Sequence, residues 1–391
     1  MSILHVITGM RKAAGTSVFV GELAGEQARR GHQVSIVHRE IWRKDNYTLD
    51  SKVDFVGEPD FWASIGERSY DIVHIHGLWE PMLHRFARYA RRCGKKIVWS
   101  PHGGLTKWAL GNHWWKKLPI WFLYQKRDLK LSAAIHVTAQ SEVEDVRRLG
   151  FKNRIIVAPL GVTIDDNCVK VRGKLGRGAY NAIYKQNSKK EALGDASSCM
   201  GEDCEMKSFS FIGRVHPVKN LPTLIRAFGS VRKSDFQLAN QWHLRIVGPD
   251  QEGHTAELKV LANELGIADL VEFVGPKYDD ELKREYVNAD CFVLPSHSEN
   301  FGSVVIESLS VGVPVITTKG TPWQELEEYG CGKWVDVNEQ AIGKALVEMM
   351  TKTDEERAEM GRRGIELVRS RYSWGAVCDK IIKGYEEILN D

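Results

Sequence analysis

The chain of 391 residues contains no apolar run long enough to cross a bilayer. No charged-then-apolar leader precedes the apolar stretch Ile3-Leu4-His5-Val6-Ile7. Neither a membrane span nor a secretory signal is therefore expected. Cysteine is sparse and irregular: Cys93, Cys168, Cys199, Cys204, Cys291, Cys331 and Cys378 make an odd, scattered set. That argues against a disulfide framework and for a reducing cytoplasm. Cys199 and Cys204 lie close together, but no second Cys/His pair completes a zinc site. No Asp-x-Asp occurs anywhere, so neither a resident metal nor a cofactor is expected. No solenoid-type repeat is apparent.

What is present reads as an ordinary soluble globular chain, 43% hydrophobic and 27% charged. Its length suggests two domains. The net charge of +3 conceals an asymmetry. Residues 1–160 hold 25 Lys/Arg against 15 Asp/Glu, a difference of +10; residues 161–391 hold 29 against 36, a difference of −7. The two halves are thus expected to meet different partners.

Short β-rich apolar runs at 3–8, 33–38, 71–76, 96–100, 134–138 and 154–158 alternate with amphipathic stretches. The same alternation resumes at 208–212, 243–247, 271–274, 291–294 and 313–317. It predicts an α/β protein with two doubly wound parallel-sheet units. The units would be 1–162, with a C-terminal helix over 372–389 returning residues 372–391 to it, and 208–371. Residues 163–207 are polar and rich in Lys, Gly, Asn and Ser. They read as an interdomain linker with an insertion. In such sheets ligands gather beyond the carboxyl ends of strands, which in two units can face one another across a cleft.

The stretch Ser298-Glu299-Asn300-Phe301-Gly302-Ser303-Val304-Val305-Ile306-Glu307 follows such a strand. Ser303 is expected to cap a helix beginning at Val304. The amides of Val304 and Val305 would then be free to meet a phosphate. Glu299 and Glu307 would flank that site rather than act as a pair, and each would meet hydroxyl groups. The plainer alternative is a loop acid and a first-turn Glu favoured by the helix dipole. A second strand runs into Gly213-Arg214-Val215-His216-Pro217-Val218-Lys219. There Gly213 permits close backbone approach, Arg214 can grip phosphate oxygens bidentately and Lys219 adds a point charge. The alternative is a loop with two solvated cations. Together the two stretches favour a diphosphate clamp.

This combination resembles the retaining glycosyltransferases of family four, which have the GT-B fold. The resemblance rests on Glu299-x7-Glu307, on Ser310-Val311-Gly312-Val313-Pro314-Val315, and on the Gly213, Arg214, Lys219 element. It covers the chain apart from 163–207. It implies that Glu299 contacts the transferred sugar, Glu307 the ribose, and Arg214 and Lys219 the diphosphate. It also implies that backbone groups of Asn300, Phe301 and Gly302 meet sugar hydroxyls and that Lys277 borders the base. Gly9-Met10-Arg11-Lys12-Ala13-Ala14-Gly15 is neither a P-loop nor Gly-x-Gly-x-x-Gly. It resembles the family's glycine loop, with Gly15 near the donor phosphate. His102, at a strand end, matches a family histidine near the donor sugar. His76 reads as a cleft wall.

Trp108, Trp114, Trp115 and Trp121 interleave with Lys116, Lys117, Lys126, Arg127 and Lys130. Such a segment fits an anionic membrane surface or an inward-packed core helix. No nucleic-acid motif supports nucleic-acid stacking. The expected function is metal-independent, retaining transfer from a UDP- or GDP-sugar to a glycan or lipid-linked acceptor, in cell-surface polysaccharide synthesis such as that of lipopolysaccharide. The expected location is the cytoplasm, with peripheral contact at the membrane face. A nucleotide-sugar epimerase of similar fold and a non-catalytic sugar-nucleotide binder are the alternatives.

Overall fold

The computed structural model describes residues 1–10, 15–41, 50–64, 69–166 and 206–391, apart from the side chains of Glu40, Ile41 and Trp108. The insertion expected over 163–207 and Cys168, Cys199 and Cys204 fall almost wholly outside them. The chain divides into two compact units, Met1–Gly161 with Tyr372–Asp391, and Val162–Arg371.

The first unit holds β1 (Ser2–Met10), β2 (Gln33–Ile41), β3 (Val53–Gly57), β4 (Ile72–His76), β5 (Lys96–Ser100), β6 (Ala134–Val137) and β7 (Arg154–Val157). They form one sheet in the order β3-β2-β1-β4-β5-β6-β7, with every pair parallel. Strand periodicity divides each strand between two cores. Leu4, Val6, Val73, Ile75, Ile97 and Trp99 pack on one side, against the helix Pro81–Arg92. Ile3, Ile7, Ile72, Val98 and Ala134 pack on the other, with Phe19, Leu23, Trp374, Val377 and Tyr385. Those covering residues come from the helices Gly15–Arg29 and Trp374–Asn390. Ser373 caps the second of these by accepting from the Ala376 amide. Gly161 admits the closely packed Trp374 ring: a Cβ there would lie 2.4 Å from it.

The second unit holds β8 (Lys207–Ile212), β9 (Trp242–Val247), β10 (Val271–Gly275), β11 (Cys291–Leu294), β12 (Val315–Thr318) and β13 (Gly332–Val335). The order is β10-β9-β8-β11-β12-β13, again parallel throughout. Chain order reverses between β8 and β11 in this unit and between β1 and β4 in the first. Those are the positions where a parallel sheet opens a crevice at its carboxyl edge.

The α/β, doubly wound architecture is the one expected. Two strands were not foreseen, β3 and β13. Both are outermost in their sheets, and an edge strand carries less of the continuous apolar signal of a buried one.

Candidate functional site

In the second unit, two loops meet at the point of reversal. One leaves β8 at Gly213, whose φ is 153°. Close by, Gly248 leaves β9 with φ 143°, and a Cβ on it would fall 1.8 Å from the Gly213 carbonyl oxygen. The two main chains touch there, and only glycine permits it. The loop continues through Arg214 to a 3-10 turn, Pro217–Lys219, ended by Asn220 at φ 56°. The Asn220 side-chain amide donates to the Pro295 carbonyl (3.1 Å), and the His297 amide donates to the Val218 carbonyl (2.9 Å). These bonds stitch the β8 loop to the β11 loop.

The stitching brings two charges together. Lys219 Nζ lies 2.5 Å from Glu299 Oε1, which also accepts from Ser296 Oγ at 2.7 Å. Each side chain of the ion pair is 14% exposed. The Glu299 amide donates to the Gly320 carbonyl at 2.8 Å, so the backbone is tied as well. Gly320 is required by contact, because a Cβ would sit 2.3 Å from the His297 carbonyl oxygen. Trp323 Nε1 donates to the Phe301 carbonyl (2.6 Å). Gly302, at φ 78°, then turns the chain into the helix Ser303–Ser310.

Along this helix Glu307 accepts from the Tyr286 hydroxyl at 2.6 Å. Burial, and then the Glu307 charge, hold the Tyr286 pKa well above its ordinary value, so its proton stays in place. Arg214 is exposed and donates to the Gln251 carboxamide oxygen at 3.0 Å.

In the first unit His102 follows β5 with φ 49°, a conformation few non-glycine residues adopt. Its Nε2 lies 3.1 Å from His76 Nδ1. Burial, with His136 nearby, depresses its pKa to about 3, so the ring is neutral.

Two family models match the chain: Glycosyltransferase Family 4 over residues 13–166, and Glycosyl transferases group 1 over residues 201–367. Between them they span most of its length. The chain belongs to the family 4, group 1 glycosyltransferases. The D-inositol 3-phosphate glycosyltransferase of Corynebacterium efficiens is 30% identical over 194 residues, 48% of this chain and 44% of that one. Its counterpart in Thermomonospora curvata is 31% identical over 179 residues, 45% and 41%. The chain therefore spans less than half the length of these curated relatives in the matched region. Among solved structures, sucrose-phosphate synthase from Thermosynechococcus elongatus superposes with a TM-score of 0.71 at 17% identity, covering 100% of this chain and 99% of that one. Anabaena HepE in complex with UDP and glucose gives 0.67 at 15%, covering 99% and 100%. These likenesses establish the GT-B fold.

Two expectations, the helix cap and the free amides, need correcting, and the other expected residues take the following places. Gly302, not Ser303, occupies the cap position, and Ser303 is the first helical residue. The left-handed turn there requires the glycine. The Val305 amide is not free: it donates to the Gly302 carbonyl at 3.0 Å. The first-turn amides left for a ligand are those of Ser303 and Val304. Glu299 and Lys219, expected at different parts of the ligand, are bonded to each other. His76 is not an exposed wall but is 1% exposed, beneath His102. Lys277 lies beyond β10, the outermost strand, where its ion-pair partner is Glu281 at 3.6 Å. Gly15 opens the helix Gly15–Arg29, and a Cβ there would meet nothing within 4 Å. Residues 11–14 lie outside the described residues.

Ser296, Gly320, Tyr286 and Gln251 were missed. Ser296 and Gly320 each follow a strand by a residue or two, which is the one signal that marked them. Tyr286 and Gln251 come from sequence-distant segments and carried none.

The segment rich in tryptophan and lysine also departs from one of its two readings. Trp114, Trp115, Leu118, Phe122 and Leu123 are 59, 60, 45, 71 and 76% exposed. The inward-packed alternative fails for these residues. It holds for Trp121, whose ring meets Trp79 and Phe151. Lys116 Nζ lies over the Trp115 ring at 5.0 Å, and Lys117 is drawn back to the Ala109 and Asn112 carbonyls (2.5 and 2.6 Å). No described helix is long and apolar enough to cross a membrane.

Proposed function

We propose that this glycosyltransferase moves a sugar, with retention and without a metal, from a uridine or guanosine diphosphate donor to a hydroxyl acceptor. The observation that carries the reading is the Lys219–Glu299 ion pair, set in the β8 and β11 loops beside the first turn of the helix Ser303–Ser310. A diphosphate leaving group needs positive charge and donors where its own charge grows. Arg214, Lys219 and the Ser303 and Val304 amides supply both. Lys219 neutralises Glu299. An arriving diphosphate competes for the ammonium and frees the carboxylate to accept from sugar hydroxyls. Glu307, oriented by Tyr286, accepts from the ribose. The proton of the acceptor hydroxyl passes to a phosphate oxygen of the departing diphosphate. His102 is assigned to the transferred sugar, and backbone groups of Asn300, Phe301 and Gly302 complete its binding.

The acceptor is a glycan or lipid-linked intermediate of a cell-surface polysaccharide. The exposed Trp114, Trp115, Leu118, Phe122 and Leu123, set among Lys116, Lys117, Lys126, Arg127 and Lys130, support contact with an anionic membrane. Titration calorimetry with UDP, GDP and ADP tests the donor site: one nucleotide binds, and Glu307→Ala and Arg214→Ala each weaken it. Absence of binding to all three by folded protein refutes the reading. Products from labelled nucleotide sugars separate transfer from epimerisation, and the anomeric configuration tests retention. Chelation that abolishes transfer would refute metal independence.

A further inference from the structure

The sheet face beneath the helices Gly15–Arg29 and Trp374–Asn390 should be wholly apolar by its position, yet it carries His5, His74, His76, Ser100 and His136. None of the five is more than 1% exposed. Every ring nitrogen of these four histidines has a hydrogen-bond partner, and the partners decide where each proton lies.

The assignment begins at a main-chain carbonyl. His136 Nε2 is 2.9 Å from the Ala158 oxygen, which can only accept. His136 therefore carries its proton on Nε2, and its bare Nδ1 accepts from Ser100 Oγ at 2.6 Å. The Ser100 oxygen in turn accepts from His74 Nε2 at 2.6 Å. His74 Nδ1 is then bare and accepts from the Tyr385 hydroxyl at 2.5 Å. Burial raises the Tyr385 pKa beyond any physiological pH, so that hydroxyl keeps its proton.

A second run of hydrogen bonds starts at Gln27. Gln27 Nε2 is buried and has no hydrogen-bond partner. Its amide oxygen then faces His5, accepting from Nε2 at 2.7 Å. With its Nε2 donating, His5 accepts at Nδ1 from His76 Nε2 at 2.9 Å. His76 Nδ1 accepts from His102 Nε2 at 3.1 Å. Donation therefore runs one way from His102 to Gln27, and one way from Tyr385 to Ala158.

We propose that His76, His5 and Gln27 are positioning residues that lock His102 as its Nε2–H tautomer, leaving Nδ1 as a lone pair for a ligand hydroxyl. Among the described residues no group bonds His102 Nδ1, and the ring is partly exposed. The positive φ at His102 sets the ring at the mouth of the series. Such a nitrogen accepts from a sugar hydroxyl and has no proton for a phosphate oxygen. This identity of the ligand group rests on the transferase reading above; the tautomer does not.

The same nitrogens also suit a metal, since one ligand atom from each of His5, His74 and His76 lies within 4.8 Å of the others. A metal would need a bare lone pair from all three at once. The hydrogen bonds already commit His5 Nδ1, His74 Nδ1 and His76 Nδ1 to donors.

The test is a long-range proton–nitrogen correlation spectrum of the full chain labelled with 15N-histidine, without ligand. His102, assigned by its loss in His102→Gln, is expected as one neutral tautomer with Nε2 protonated. His76→Leu removes the acceptor and should give a mixture of tautomers, while His76→Gln, whose amide oxygen can accept, should restore the single form. Added Zn²⁺ should leave the His5, His74 and His76 signals in place. A wild-type His102 protonated on Nδ1 or present as a mixture overturns the proposal, as does a stoichiometric shift of those three signals with Zn²⁺. The wild-type spectrum decides even if His76→Leu does not fold. Because no nucleotide is present, failure here is separate from failure of the nucleotide titration. If the tautomer is as assigned and UDP, GDP and ADP all fail to bind, the transferase reading falls and the relay stands.

Discussion

Acid should weaken the first unit, and the histidine-lined face sets the size of the effect. Burial depresses the pKa of His5 and of His136 to about 4 in the folded protein. Their unfolded value is about 6.5. A base with a lowered folded pKa stabilises fully above its unfolded value, and that stability is lost as pH falls toward the folded one. At pH 5 each unfolded ring is almost wholly protonated and each folded ring is not. The gap of about 1.5 pH units is worth roughly 2 kcal/mol per group. The pair therefore removes about 4 kcal/mol between pH 7 and pH 5, and His74 and His76, lowered in the same direction, add to it. Against a typical stability of about 5–15 kcal/mol, that is a large fraction. Hydrogen exchange read by mass spectrometry, corrected for intrinsic rates, can follow each unit separately. Peptides of β1, β4, β5 and β6 should lose protection at pH 5 relative to pH 7. Equal protection at pH 7 and pH 5 in the first-unit strands would refute the reasoning.

Lys219→Met should weaken binding of the cognate nucleotide at least about ten-fold, since a charged hydrogen bond contributes roughly 1.5–3 kcal/mol; unchanged affinity by calorimetry would remove Lys219 from the diphosphate site. Tyr286→Phe leaves Glu307 without its donor and should lower stability to urea by about 1 kcal/mol, with nucleotide affinity falling as well. Gly320→Ala pushes a methyl against the His297 carbonyl and should lower the second unit's stability by about 1–3 kcal/mol; a melting temperature equal to wild type would contradict the close approach. Trp114→Ser with Trp115→Ser should reduce co-sedimentation with vesicles of anionic lipid and leave the urea midpoint unchanged, because both rings are exposed. Equal binding to neutral and anionic vesicles would dismiss the membrane surface.

Much of this protein was legible before any coordinate. Short continuous apolar runs separated by amphipathic stretches specify parallel sheets, because burial on both faces leaves a local signature that survives in one dimension. Gly213, Arg214, Lys219 and Glu299 stood out because they lie in stretches that leave a strand, where ligands gather, and Glu307 because of its spacing from Glu299. The rest depended on contacts between distant segments. Nothing local announces that Lys219 and Glu299 are bonded, that Tyr286 orients Glu307, or that Gly320 presses on His297. Edge strands β3 and β13 went unseen because half-exposed strands carry a weaker apolar signal. The aromatic and basic segment 114–130 has a composition compatible with core or surface, and only packing put Trp121 inward and Trp114 and Trp115 outward. His5, His74, His76 and His136 are visible in the sequence as alternation with apolar neighbours. Their hydrogen-bond order, and so the proton on each ring, exists only once parallel pairing has set β1, β4, β5 and β6 side by side and the C-terminal helix has brought Tyr385 onto them.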